Sequence, residues 1–238
     1  MSVANPLHSN EAFPPRDDDL TIVIFAKAPT PGRCKTRLAR GVGNIRAARI
    51  YRAMLEHAVA TLTAAAPGRV ILSCAPDTRH PLFKRLARRY GVTCYRQAQG
   101  DLGTRMADGI RRGLDSNPRG PVLVVGSDQP ELGGAWLAHA RSALSREGKT
   151  AWMAPTEDGG YWAIGLDRHT PRVFRGPHWS TPRVSTATRT GMMRLGFDHA
   201  EIAPHNDIDE LRDWQRLTPR LRTQLSRQAT MPGIRFRR

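Results

Sequence analysis

Acidic residues are scarce in this 238-residue chain: 21 Asp and Glu stand against 37 Lys and Arg, a formal net charge of +16. Lysine is scarcer still, with only Lys27, Lys35, Lys84 and Lys149, so the basic excess is almost wholly arginine. Such an excess invites a nucleic-acid or other phosphate partner, and compositional bias accounts for it equally well. Cysteine is rare too. Cys34, Cys74 and Cys94 lie far apart with no Cys-x-x-Cys pair, which argues against a disulfide framework or a structural zinc and fits a reducing cytoplasm. No apolar run approaches the roughly 20 residues a bilayer demands. The first 19 residues lack the basic start and apolar core of a signal peptide. The H-x-x-x-H, G-x-S-x-G and G-x-x-x-x-G-K-[ST] patterns are absent, which removes zinc hydrolysis, the esterase elbow and the Walker loop.

What is present is an alternation of apolar strands and amphipathic helices. Thr21–Ala26 (TIVIFA) is a β-branched run of the kind buried in a sheet. Residues 27–43 turn polar, punctuated by Pro29, Pro31, Gly32, Gly41 and Gly43, so a loop is expected there. From Asn44 apolar side chains recur at three and four residues as far as Leu62, and Pro67-Gly68 stops that helix. Further strands are expected at 70–74, 92–96, 121–126, 151–154, 161–166 and 200–203. Helices are expected at 80–90, 102–114, 135–144, 182–195 and, as the last, 209–217. The pattern argues for an α/β fold with a mostly parallel sheet covered on both faces. It divides the chain into a disordered leader over 1–19, one domain over 20–217, and a basic, partly disordered tail over 218–238. From Leu211 to Arg238 there are eight Arg and one Asp.

Six segments carry residue types suited to chemistry. Lys27-Ala-Pro-Thr-Pro-Gly-Arg-Cys-Lys-Thr-Arg-Leu38 follows the first strand, where open α/β sheets bind ligands. It offers Gly32 for close backbone approach and Lys27, Arg33, Lys35 and Arg37 for anionic oxygens; four cations gathered at one strand end repel one another without an anion. Cys34 sits among them, where cations can lower a thiol pKa, although a small loop residue is the plainer reading. Gly126-Ser127-Asp128-Gln129-Pro130 follows the PVLVVG strand, and Asp128 there suits Mg²⁺ or Mn²⁺, or the cap of the next helix. Glu157-Asp158-Gly159-Gly160-Tyr161-Trp162 joins two strands, as a ligand-facing turn or a simple hairpin. Asp207 and Asp209 could complete a metal shell with Asp128, or satisfy the N-terminus of the last helix. Gln97 to Met106 is a polar turn entering a helix, with Gln99, Gly100, Asp101 and Gly103 placed for a phosphate or a base edge. In His178-Trp179-Ser180-Thr181-Pro182, Ser180 or Thr181 reads as an N-cap with proline at the first helical position.

Taken in order, FAKAPTPGRCKTRL, QGDLGTRM, GSDQPEL, PTEDGGYWAIGL, WST and the late DID resemble a bacterial family of uncharacterised transferases, often labelled glycosyltransferase. That family belongs to the nucleotide-diphospho-sugar transferase superfamily, whose wider members include 2-phospholactate guanylyltransferase and the molybdenum-cofactor nucleotidyltransferases. The resemblance spans Thr21 to Leu217. It implies a GT-A-like, Rossmann-type three-layer sandwich with a nucleotide site at the carboxyl edge of the sheet. By motif, Lys35 and Arg37 would hold nucleotide phosphates, with Lys27, Gly32 and Arg33 beside them, and Gln99, Gly100, Asp101 and Gly103 would border the base or sugar. Asp158, Gly159, Gly160 and Tyr161, with Ser180 and Thr181, would line the acceptor side. Asp128 would bind Mg²⁺ or Mn²⁺, with Asp207 or Asp209 closing the site; the chain departs from the family pattern in running from Asp209 straight into Glu210-Leu211, so both aspartates stand as candidates.

The implied activity is metal-dependent transfer of a nucleotidyl or glycosyl group from a nucleoside triphosphate or nucleotide sugar to a small acceptor, with Lys35, Arg37 and Asp128 as the catalytic set. The implied partners are the donor and the acceptor, with no membrane span. A nucleic-acid-binding protein using residues 218–238 as an electrostatic arm, or a nucleotide sensor without turnover, is the alternative.

Overall fold

The computed structural model describes residues 20–230 apart from 119, 132 and 133; the expected leader and residues 231–238 of the expected tail lie outside the described residues. Strands β1 (Thr21–Lys27), β2 (Val70–Ala75), β3 (Thr93–Arg96), β4 (Val122–Gly126), β5 (Thr150–Pro155), β6 (Tyr161–Leu166) and β7 (Asp198–Glu201) form one sheet in the order β3-β2-β1-β4-β6-β5-β7. Only β6 runs against the others: it pairs antiparallel with β4 and β5, and every other pair is parallel. The five residues between β5 and β6 make this unavoidable, because a parallel crossover needs a dozen or more.

Side chains alternate across the sheet, as the two-residue period of a strand requires. Ile22, Ile24, Leu123 and Val125 face α2 (Asn44–Ala65), α3 (Pro81–Tyr90) and α5 (Gly134–Leu144). Val23, Val122 and Val124 face α4 (Leu102–Ser116), a short 3-10 helix (Pro171–Phe174) and α6 (Val184–Arg194). Trp162, from the DGGYW segment, is a core residue, its ring centroid 4.9 Å from that of Trp136.

Three expectations are corrected. Residues 36–42 are not loop but helix α1 (Thr36–Val42), which leans on α7 (Leu211–Arg216): a Cβ on Gly41 would come within 2.9 Å of Leu211, so only glycine allows this approach. The helix over 211–216 is not the last, and the fold does not close at 217. α8 (Pro219–Thr230) lies along α2, burying Leu225 and Ala229, and Arg52 of α2 donates to the carbonyls of Gln228 (2.7 Å) and Ala229 (3.3 Å). Residues 219–230 are therefore packed helix rather than a loose basic arm. Finally, α6 begins at Val184 with Arg183 at its cap, so neither Ser180 nor Thr181 caps it; the Thr181 hydroxyl donates instead to the His178 carbonyl at 2.7 Å.

Candidate functional site

β1 has β2 on one side and β4 on the other, so the chain changes direction across the sheet at the carboxyl ends of β1 and β4. Loops leave that point to opposite sides and open a crevice. Two adjoining hollows fill it. One, of about 410 Å³, is lined by Lys35, Arg37, Tyr51, Asp128 and Asp209. The other, of about 910 Å³, extends over the ends of β2 and β3 and carries Lys27, Arg33, Arg79, Arg96 and Arg105 against one carboxylate, Asp77. Both share Lys27, Gln97 and Arg105.

The loop after β1 turns through Gly32, whose φ of 74° closes the turn in which Arg33 N donates to the Thr30 carbonyl at 3.0 Å. Its glycine is needed for that left-handed turn rather than for close approach, since an added Cβ would meet nothing nearer than 3.8 Å. Lys35 follows at the cap of α1, itself left-handed at φ 45° and ψ 51°, a conformation costing a non-glycine residue about 1 kcal/mol or more. Its Nζ donates to Asp128 Oδ2 at 2.8 Å and to Asp209 Oδ1 at 2.6 Å. Burial works against its charge, but Asp128, Asp209 and Asp207 outweigh burial and hold the ammonium above the ordinary lysine range. Arg37 reaches the other Asp209 oxygen at 3.4 Å from an exposed position.

The two aspartate loops are tied to each other. Ile208 N donates to the Asp128 carbonyl at 3.1 Å, and Gln129 Nε2 to the Asn206 carbonyl at 2.8 Å. Neither Asp207 nor Asp209 caps α7. That cap is Glu210, reciprocated by Asp213, whose Oδ2 accepts from Glu210 N at 2.7 Å. Asp128 Oδ2 accepts from Lys35, and among the described residues Asp128 caps no helix. Asp128, Asp207 and Asp209 each offer an oxygen within 4.8 Å of the others. Burial first, and then Asp128, push the Asp207 carboxyl up to about 7, with Lys35 pulling the other way. Three oxygen donors so placed suit a hard cation such as Mg²⁺ or Mn²⁺.

The remaining expected residues fall into two groups. Gln99 lines the larger hollow. Asp101 is instead the exposed N-cap of α4, accepting from Thr104 N at 2.8 Å. Gly103 packs under Trp179, where an added Cβ would meet the indole at 2.6 Å, so the QGDLG and WST segments meet each other directly. In the β5–β6 hairpin, Asp158 Oδ1 accepts from Thr156 Oγ1 (2.5 Å) and Gly160 N (3.1 Å), and its charge is felt by Asp207. Gly159, at φ 86°, passes so close to the segment before α6 that a Cβ would sit 1.9 Å from the Pro182 carbonyl oxygen. Tyr161 is turned inward, its hydroxyl 3.5 Å from Met106 Sδ, and Ser180 holds a left-handed φ of 65°. Cys34 is not activated by its cationic neighbours. Burial pushes its thiol up to about 11 against the opposing pull of Lys27 and Lys35.

Two residues escaped the sequence reading. Tyr51 is an apolar-face position of α2, yet its hydroxyl accepts from Lys27 N at 2.8 Å and bonds Ser127 Oγ at 2.8 Å, pinning the ends of β1 and β4 together. The signal was there: a buried tyrosine hydroxyl needs a partner. Arg105 lies between the two hollows, braced on the Gly100 carbonyl at 3.0 Å.

Among solved structures, the chain is similar to a protein of Desulfovibrio desulfuricans G20 labelled a nucleotide-diphospho-sugar transferase, with 25% identity, a TM-score of 0.73, and 88% of this chain and 95% of that one covered. It shares its fold, at 14% identity and a TM-score of 0.51, with a Bacillus anthracis protein labelled a glucose-1-phosphate thymidylyltransferase, covering 87% of this chain and 99% of that one. No curated protein matches it in sequence. None of its described helices is long and apolar enough to cross a membrane. The fold is the one that the resemblance implied, and residues 58–181 match the family described as "Uncharacterized protein conserved in bacteria (DUF2064)", which is the family this chain belongs to.

Proposed function

We propose that this protein is a nucleotide-dependent transferase whose donor is a nucleoside triphosphate and whose acceptor is a small molecule. The observation that carries the reading is the pairing of two unlike surfaces in one crevice: five cations against one carboxylate over the ends of β1 to β3, and three clustered carboxylates beside them. Lys27, Arg33 and Arg105 have no carboxylate within 4.0 Å among the described residues, so their charge is directed at solvent or at a ligand. Such a surplus suits the additional phosphate of a triphosphate better than the diphosphate of a nucleotide sugar. The likeness to a protein labelled a nucleotide-diphospho-sugar transferase supports a nucleotide sugar as the second donor reading.

The chain's own residues would divide the work as follows. Lys27, Arg33 and Arg105 would grip the phosphates, Arg105 from the wall shared by both hollows. Lys35 and Arg37 would stabilise charge growing on the leaving pyrophosphate or diphosphate. Asp128, with Asp209 and Asp207, would hold Mg²⁺ or Mn²⁺. That ion's contribution would be neutralisation of phosphate charge. Asp158 to Gly160 and the segment around Thr181 would bound the acceptor, whose oxygen attacks either the α-phosphorus or the anomeric carbon. Positioning and electrostatics supply most of the acceleration in such a scheme.

The test is a thermal-shift screen of nucleoside triphosphates and nucleotide sugars with Mg²⁺ or Mn²⁺, on wild type and Asp128→Ala. A ligand at 100 times its Kd stabilises by roughly 2.7 kcal/mol, about 5–11 °C for a domain of this size. A metal-dependent shift with a triphosphate, lost in Asp128→Ala, is expected. Shifts with nucleotide sugars alone would move the donor to the second reading, and undiminished metal-dependent binding in the variant would overturn the role of Asp128.

A further inference from the structure

The Lys35 side chain is only 6% exposed, and its ammonium is bonded to two of the three carboxylates that suit a divalent cation, 2.8 Å from Asp128 and 2.6 Å from Asp209; the donor oxygens of that cluster lie within 4.8 Å of one another. A magnesium ion would bind oxygens of those same carboxylates at about 2.0–2.1 Å. The ammonium and the ion therefore compete for the same carboxylates, with like charges repelling across a partly desolvated gap. A second observation sets Lys35 apart from an ordinary ion pair: its backbone is left-handed at φ 45°, a position glycine would hold without strain. Lysine stands where its left-handed backbone is disfavoured, and its side chain ends between two aspartates 93 and 174 residues away.

We propose that Lys35 is a resident cation that closes the carboxylate site to divalent metal in the free protein, and that a phosphate-bearing ligand opens the site by drawing the ammonium away. The proposal rests on the crevice being a nucleotide site. Lys35 borders the smaller hollow, so the space into which it would swing is the space the phosphates would occupy. Each partner then gains in exchange: the ammonium trades two carboxylates for phosphate oxygens, and the aspartates trade one monovalent charge for a divalent one. Metal and nucleotide affinities become coupled, each raising the other by the same factor. The site would be guarded against free metal ions and would accept one only with the donor in place.

The experiment is Mn²⁺ binding to the full chain, read from the electron paramagnetic resonance signal of free Mn²⁺, for wild type, Lys35→Met and Lys35→Gly, without nucleotide. The glycine variant removes the ammonium and relieves the backbone at once, so it should fold even if the methionine variant melts early. Expected is weak Mn²⁺ binding by wild type and at least tenfold tighter binding by both variants, abolished when Asp128→Asn is added. Unchanged Mn²⁺ affinity in folded Lys35→Gly overturns the proposal. So does a wild-type melting temperature that rises with micromolar Mn²⁺ alone, a readout that needs no variant. If the variants gain Mn²⁺ while no nucleotide stabilises wild type, the nucleotide reading falls and the exclusion by Lys35 stands. If nucleotides bind and Mn²⁺ affinity does not move, the exclusion alone falls.

Discussion

The two halves of the crevice are built on opposite principles. Over β1, β2 and β3 the loops present arginines and a lysine whose charge is left largely uncompensated, in the larger of the two hollows. Over β4, β5 and β7 the loops are knotted to one another: Gln129 to Asn206, Ile208 to Asp128, Asp158 to Thr156 and Gly160, and Gly159 beneath Pro182. The first half carries an excess of positive charge; the second is tied together internally, its three clustered carboxylates apart. A region that spends its hydrogen bonds on itself holds geometry, and one that leaves them unspent holds affinity. Lys35 crosses between them, rooted in the β1 loop and bonded to the β4 and β7 loops.

That contrast can be broken at either side. The largest effect is expected in the knotted half. Gly159→Ala places a Cβ 1.9 Å from a backbone oxygen and at a φ of 86°, so a loss of about 3 kcal/mol or more is expected, seen as a melting temperature lowered by roughly 6–12 °C. A shift under 2 °C would mean the hairpin is loose rather than knotted. In the open half, Arg105→Ala should leave the melting temperature within a degree or two and weaken binding of a triphosphate by roughly 10- to 100-fold, the range of a charge-assisted hydrogen bond, measured by calorimetric titration. If stability falls and affinity does not, the roles of the halves are reversed.

Tyr51→Phe tests the seam between them. It strips one partner from Lys27 N and one from Ser127 Oγ, both at 2.8 Å, for an expected cost of about 1–3 kcal/mol. A change of pH acts on the knotted half. Burial pushes the Asp207 carboxyl from 3.8 up to about 7 in the folded chain, so the folded chain binds the extra proton between those pH values. Stability therefore falls as pH rises from about 4 to about 7, while affinity for a divalent ion rises over the same window and levels off above it. Asp207→Asn should flatten both curves, which melting and Mn²⁺ titrations at several pH values would show.

Much of this was legible from the chain. Strands β1, β2 and β4 stood out as β-branched runs, and the short β5–β6 connection left a hairpin or a ligand-facing turn open. Two helices were hidden, for different reasons. α1 is seven residues long, starts at a left-handed lysine without a side-chain cap, and is held by the close approach of Gly41 to Leu211; its local residues read as loop because tertiary contact makes it a helix. α8 was masked by its arginines, although Leu221, Leu225 and Ala229 repeat every fourth residue along its inner seam. The acidic residues of the site were found as separate motifs. What spacing could not reveal is that Lys35 lies between two of them, because nothing local in a sequence encodes a contact across 93 or 174 residues.

The clasp between Arg52 and the end of α8 sets an order of assembly. Arg52 follows Tyr51, the residue that pins β1 to β4, and the carbonyls that hold its guanidinium belong to residues 176 and 177 positions later. During synthesis the chain emerges from its amino end, so the helix behind Tyr51 waits uncovered until almost everything described here has been made. A product truncated before α8 would carry every residue that lines the crevice and still leave the outer face of α2 uncovered.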